Sequence, residues 1–334
     1  MKKNSALLRI PFLTAVTFVF FLFIGCEDPE PEQTGYIQTV PQDTFPDLGH
    51  DGPYFEDSIY FGRENYIEYH SGTIPIIFSA PHGGWVEPDE IPNRTEGTTV
   101  TDNNTYQLTK VIMDTLASRF GGKPHVILCL LERLKLDANQ DINDASEGNI
   151  YAERAWREYH HYIDVAKELV AMNYGSGILF DIHGHGENPD GFYDLRTWLG
   201  YLIKGNDLDL PDEDLNSDEF KNQSSIRILA DTSSFAFINI LRGETSFGTL
   251  MDSLGYACVP SVNDPGPAGS RYFSGGYTLY RHGSSDGSAI SAIQVELPQP
   301  GIRDTGENWS RYASAFAKVI DAYYKFHMGR ELEL

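Results

Sequence analysis

Histidine and carboxylate side chains recur in this chain at spacings that suit metal chemistry. Ser79-Ala80-Pro81-His82-Gly83-Gly84-Trp85-Val86-Glu87 sets an imidazole five residues before a carboxylate, with two glycines between them. Both groups are zinc ligands, and the glycines are expected to turn the backbone so that both side chains face one point. Phe180-Asp181-Ile182-His183-Gly184-His185-Gly186 offers a third ligand about a hundred residues later. Asp181 precedes His183 by two residues, on the same strand face. There a carboxylate orients a ligating histidine through its other ring nitrogen. His185 is the rival ligand on that face, but Gly184 and Gly186 are expected to end the strand before it. Ile293-Gln294-Val295-Glu296-Leu297 embeds a glutamate in an apolar run, which is costly unless the carboxylate has a partner or a task. Two near ligands, a distant third and one open position make the plan of a catalytic zinc site, with His82, Glu87 and His183 as the expected ligands. Zinc activates a water near neutral pH, and Glu296 suits the accompanying proton transfer as general base.

The elements that must position these groups alternate along the chain. Ile74–Ser79 is a short apolar run closed by a turn, and His125–Leu131 and Gly177–Ile182 are similar runs, all expected to be buried strands. Asn104–Phe120 repeats its apolar residues at helical spacing and stops at Gly121-Gly122. Ile150–Met172 carries Ala155, Tyr159, Ile163, Ala166 and Val170 on one stripe. Ser224–Arg242 reads as mostly helical, Ala289–Leu297 as a late strand and Trp309–His327 as a closing helix. Strands separated by helices predict an α/β fold with helices on both faces of a central, mostly parallel or mixed sheet. Ligands in such sheets bind at the carboxyl ends of strands, where these motifs fall.

His82-x-x-x-x-Glu87 after a proline, then Asp181-Ile182-His183-Gly184, then Gln294-Val295-Glu296, resembles the N-formylglutamate amidohydrolase family of the zinc-carboxypeptidase-like group. The His-Gly-Gly-x-x-Glu form also looks like that of phage poly-γ-glutamate hydrolases. The resemblance extends through Leu134–Asn139 and Phe273–Tyr277 and spans roughly residues 74–324. It implies a three-layer α/β/α domain, one zinc per chain held by His82, Glu87 and His183, and hydrolysis of an amide bond with Glu296 as general base. A nearby cation would help zinc stabilise the oxyanion.

One departure bears on the substrate. The related sequences usually read Asp-x-Asn-Arg where this chain has Asp137-Ala138-Asn139-Gln140. That arginine is expected to grip a substrate carboxylate, which Gln140 cannot do. Arg133, Arg154 and Arg281 are the candidates to replace it, with Asn139 beside them. Ser274-Gly275-Gly276-Tyr277, followed by Arg281-His282-Gly283, reads as an active-site loop in which Tyr277 or His282 contacts substrate, or else as a glycine-rich hairpin at the sheet edge. The expected substrate is an N-acyl amino acid or a peptide-like molecule. Two other readings compete. Gly283-Ser284-Ser285-Asp286-Gly287 matches a serine-esterase elbow, although a strand rather than a helix is expected after it. A non-catalytic surface lipoprotein that binds peptide or glycan in an aromatic groove is the second.

The chain of 334 residues carries 25 Lys+Arg against 48 Asp+Glu, a formal charge of −23, which argues against a nucleic-acid partner. With 41% hydrophobic residues it is no disordered polymer. Lys2 and Lys3, an apolar run from Ala6 to Gly25 and then Cys26 resemble a bacterial lipoprotein signal peptide over residues 1–25. Cys26 would carry the lipid that holds an exported protein to the outer or cytoplasmic membrane, with the cell surface as one expected location. Residues 26–55, rich in acid and proline, are expected to be a tether to one domain over residues 56–330. Cys129 and Cys258 lie in apolar runs and read as buried thiols, though an oxidising compartment permits a disulfide. The acidic stretch at about residues 205–220 lacks the glycine and register of a calcium loop and reads as a solvated insertion.

Overall fold

The computed structural model describes residues 53–188 and 191–332. The expected signal peptide, the lipid-bearing Cys26 and the tether up to residue 52 lie outside the described residues. Among the described residues, eight strands form one sheet in the order β1-β2-β4-β3-β5-β8-β6-β7. They are β1 Ile59–Phe61, β2 Ile67–His70, β3 Ile76–Ala80, β4 His125–Cys129, β5 Gly177–His185, β6 Thr197–Gly200, β7 Cys258–Val259 and β8 Ile290–Pro298. The central strands β4, β3, β5 and β8 run parallel, β2 and β6 pair antiparallel at their flanks, and the sheet is therefore mixed.

Strand alternation assigns each residue of the central strands to one of two cores. Phe78, Ile178, Phe180, Ile293 and Val295 pack with Leu108, Ile112 and Leu116 of the helix Thr105–Phe120 and with Tyr312, Phe316 and Ile320 of the helix Gly306–Met328. Ile77, Ile127, Leu179 and Ala292 face the opposite way, toward Ala155, Tyr159, Ile163 and Ala166 of the long helix Ile150–Tyr174. The result is the expected three layers. Fully burying each such Phe, Leu or Ile contributes about 1.5–3 kcal/mol. On the second face the pattern changes toward the carboxyl ends of the strands. Ile77 gives way to Ser79, Leu179 to Asp181 and His183, and Ala292 to Gln294 and Glu296. The register pairs Asp181 with Gln294 and His183 with Glu296, so four polar side chains form a block on one face.

Several sequence expectations need correction. β5 does not end before His185, because β8 continues beside it and pairs Gly184 with Leu297 and His185 with Pro298. Gly184 is required for another reason: a Cβ there would lie 2.3 Å from the Arg303 guanidinium carbon. Residues 224–242 form two short helices, Arg227–Thr232 and Phe237–Arg242. Ser233 interrupts them in an extended conformation, its hydroxyl accepting the Phe235 N–H. The acidic stretch keeps most of its acids exposed and folds into short helices, including Gly205–Leu208 and Asp212–Leu215, gathered around the buried Arg242, which donates to Asp212 and to the Leu208 and Leu210 carbonyls. Ser274–Gly276 leads into the helix Tyr277–His282 rather than a hairpin. Cys129 and Cys258 are free and buried, on β4 and β7, five places apart in the sheet and so roughly 24 Å apart at about 4.8 Å per strand. Among the described residues no helix is long and apolar enough to cross a membrane.

Candidate metal centre

Three buried side chains converge where β3 and β5 end. His82 follows β3, His183 lies near the end of β5, and Asp102 comes from the approach to the helix Thr105–Phe120. Asp102 is fastened by its backbone N–H to the His82 carbonyl (2.9 Å), and its Oδ2 accepts the Gly184 N–H (3.1 Å). That same oxygen lies 3.4 Å from His82 Nδ1 and 3.3 Å from His183 Nδ1. One donor atom from each residue lies within 4.8 Å of the others.

The far nitrogens of both rings are already engaged. His82 Nε2 meets Asp137 Oδ1 at 2.6 Å, and His183 Nε2 meets Asp181 Oδ2 at 2.8 Å. A carboxylate accepts a proton from the imidazole nitrogen it faces, which leaves the lone pair of the neutral ring on Nδ1. His82 Nδ1 is buried and has no hydrogen-bond partner. Two imidazoles aimed by carboxylates, an orphaned nitrogen and a shared carboxylate oxygen fit a divalent metal. For bonds of about 2.0–2.1 Å in a tetrahedron, neighbouring ligand atoms stand roughly 3.3 Å apart, close to the two spacings around Asp102 Oδ2.

The buried charges of the site act on one another at close range. Burial opposes ionisation of Asp102, but the two imidazoles outweigh it and hold its carboxyl far below the usual range. Burial also opposes a charged His183, yet Asp181 and Asp102 hold that imidazolium well above its usual range. Burial pushes the Glu296 carboxyl up, with His183 opposing. Glu296 Oε1 lies 3.9 Å from His183 Nδ1 and accepts the Gln294 amide (2.8 Å). Asp181 is oriented in turn by the Ser79 hydroxyl at 2.5 Å.

The structure places the other expected site residues unevenly. Arg133 reaches the cluster, with Nε 3.0 Å from Asp137 Oδ2 and Nη1 3.5 Å from Asp102 Oδ1. Asn139 brings Nδ2 to 3.3 Å from His183 Nε2 and accepts the Thr278 N–H on Oδ1. A Cβ on Gly276 would lie 2.2 Å from that Nδ2, so the wall there needs a glycine. Glu87 lies outside the three-residue cluster. After Gly84 the chain pairs with the continuation of β4, through Trp85 N–H to the Leu130 carbonyl and a Val86–Leu131 bridge, and the exposed Glu87 ends beside Glu132. His185 is turned away, stacked on Trp198 at 3.9 Å and bonded to the Arg196 carbonyl. Arg154 pairs with Glu158 (2.6 Å) and Arg281 with Asp164 (3.3 Å). Tyr277 packs on Trp156 and His160, and His282 is fully buried against His160. Ser285 sits in a 3-10 turn between a helix and β8, the reverse of a nucleophile elbow.

Sequence reasoning missed Asp102, Asp137 and Arg303. Asp102, shortly before a helix, has the ordinary look of a helix-start residue. Arg303 donates to the carbonyls of Leu297, His185 and Asn103, tying β5, β8 and the Asp102 segment together.

No family model matches the chain, and no curated protein matches it. Solved structures with a similar fold include N-formylglutamate amidohydrolase from Ralstonia eutropha JMP134, at 12% identity over 82% of this chain and 98% of that one, with a TM-score of 0.47. A gene product from Agrobacterium tumefaciens is 10% identical over 78% of this chain and 96% of that one (TM-score 0.45). Succinylglutamate desuccinylase from Chromobacterium violaceum is 9% identical over 84% and 72% (TM-score 0.37).

Proposed function

We propose that this chain is a zinc-dependent hydrolase that cleaves the amide bond of an N-acyl amino acid or a peptide-like substrate. The observation that carries the reading is the convergence of His82 Nδ1, Asp102 Oδ2 and His183 Nδ1, with both rings aimed from behind by Asp137 and Asp181. Those three residues would hold the metal, Asp102 taking the place expected of Glu87. Bound zinc supplies a Lewis acid and an activated water. Glu296, whose burial raises its affinity for a proton, would take one from the attacking water at Oε1 or Oε2 and pass it to the leaving nitrogen. Arg133, half-buried at the edge of the cluster, would stabilise the reacting carbonyl or grip a substrate carboxylate. Gln294 fixes the Glu296 carboxylate, and Asn139 fills the wall beside His183. Export and a lipid on Cys26 belong to the same reading and would set the site to work outside the cytoplasm.

The test is turnover of a panel of N-acyl amino acids and γ-glutamyl peptides by the zinc-loaded chain. Activity lost with a chelator, restored by zinc and absent in Glu296→Gln supports the reading. Binding of such molecules without turnover, unchanged in Glu296→Gln, favours the peptide- or glycan-binding lipoprotein instead.

A further inference from the structure

A second polar chain lies behind the wall of the metal centre. Asp164 Oδ1 stands 3.2 Å from His282 Nδ1. His282 Nε2 meets His160 Nδ1 at 2.8 Å, and His160 Nε2 meets the Ala138 carbonyl at 3.1 Å. The two rings are stacked and buried, and His160 packs beside Trp156. Ala138 sits between Asp137, which aims His82, and Asn139, which touches His183. The chain closes on itself, because the helix Tyr277–His282 that carries His282 also gives the Thr278 N–H to Asn139 Oδ1 (2.8 Å).

Its proton count does not balance. Three contacts link Asp164, His282, His160 and the Ala138 carbonyl, and each needs one proton. Two neutral imidazoles bring two protons, and an ionised Asp164 brings none. Whichever tautomers are chosen, one contact sets two acceptors against each other. His282 Nδ1, buried 3.2 Å from the Asp164 carboxylate, has no aligned hydrogen bond. A third proton completes the chain.

We propose that Asp164, His282 and His160 form a proton-linked positioning chain that sets the Asp137–Asn139 turn, and through it the two histidines of the candidate metal centre. The inference rests on the metal-site reading for its consequence, but not for its proton count. The groups that face the pair define its titration. Burial lowers His282 to about 4, with Asp164 opposing and Lys167 and Arg281 reinforcing the fall. Burial also lowers His160, again with Arg281 on the same side. Burial raises Asp164, but His282 and Arg281 outweigh it and hold it at about 2. Asp286 acts on Lys167 from the next turn. At neutral pH the chain is therefore one proton short, and it is completed only in acid.

Asp164→Asn supplies the missing proton, because an amide can donate to His282 Nδ1 at any pH. The full chain, metal-free and labelled with nitrogen-15 histidine, is titrated by NMR beside Asp164→Asn, and zinc affinity is measured for both and for His160→Phe. The wild type is expected to have one bare ring nitrogen within the chain at neutral pH and to take up one shared proton in acid. In Asp164→Asn that nitrogen is hydrogen-bonded throughout, and zinc binds at neutral pH a few-fold more tightly. His160→Phe, which keeps a ring but loses the bond to Ala138, weakens zinc about tenfold. Rings that titrate independently near the ordinary histidine value overturn the proposal. So does an Asp164→Asn that weakens zinc, the sign expected of a plain ion pair. Should His160→Phe fail to fold, Asp164→Asn at the part-exposed end still decides the matter. Absence of zinc binding in the wild type defeats the metal-site reading, while the ring titration still tests the chain.

Discussion

His183 and Glu296 lie directly across from each other on neighbouring parallel strands, with His183 Nδ1 3.9 Å from Glu296 Oε1. One register pair therefore carries both a nitrogen aimed at the candidate metal position and the carboxylate best placed to move protons there. Glu296→Gln keeps the shape and the register while removing the base. Turnover of an amide substrate should fall about 10²–10⁴-fold, with zinc content unchanged by mass spectrometry. A variant that keeps its rate would remove Glu296 from the chemistry.

Asp137 holds His82 Nε2 at 2.6 Å without itself reaching the metal position. Asp137→Asn should weaken zinc binding about 10–100-fold, the usual cost of losing a carboxylate behind a ligating histidine. Competition against a chromogenic chelator measures the loss. Affinity equal to wild type would mean that His82 does not bind through Nδ1.

Arg133 offers a planar, half-buried guanidinium beside Asp102 and Asp137. In Arg133→Lys, the Michaelis constant for a substrate bearing a free carboxylate should rise about tenfold, because an ammonium cannot reproduce a two-pronged grip. The amide of the same substrate, lacking that carboxylate, should show no such rise. Equal effects on both would assign Arg133 to holding the two aspartates alone.

Glu68 on β2 makes a separate, structural network with His70, Lys110 and Tyr106. Burial raises its carboxyl, but these contacts outweigh burial and lower it from 4.5 to about 2. A carboxyl lowered on folding stabilises the protein above its unfolded value and loses that contribution as pH falls through the folded value. Glu68→Gln should therefore cost about 1–2 kcal/mol at neutral pH, after allowance for partial solvent screening. The difference from wild type should shrink between pH 4.5 and about 2. Urea unfolding across that range reads it directly, and a constant difference would contradict the assignment.

The layers and the central strands were legible because burial on both faces makes β3, β4, β5 and β8 nearly continuous apolar runs. His183, Asp181 and Glu296 were legible for the complementary reason, as polar residues interrupting such runs. The short outer strands β1, β2, β6 and β7 carry too few residues for a periodic signal. Glu87 attracted attention by its nearness to His82 in sequence. The pairing of Trp85 and Val86 with the end of β4 carries it off toward Glu132. Asp102 stood near a helix start, and only the bond from its backbone to His82 and the contact with Gly184 show where its carboxylate points. Arg154 and Arg281 were plausible by charge, yet each found a carboxylate on the helix Ile150–Tyr174.

The central claim is that His82, Asp102 and His183 hold one metal ion. Zinc content per chain, measured by mass spectrometry after zinc is supplied and the excess removed, tests it most directly across wild type, His82→Ala, Asp102→Ala and Glu87→Ala. About one zinc is expected in wild type and in Glu87→Ala, and none retained in the other two. A wild type without zinc, or zinc lost in Glu87→Ala but kept in Asp102→Ala, would contradict it.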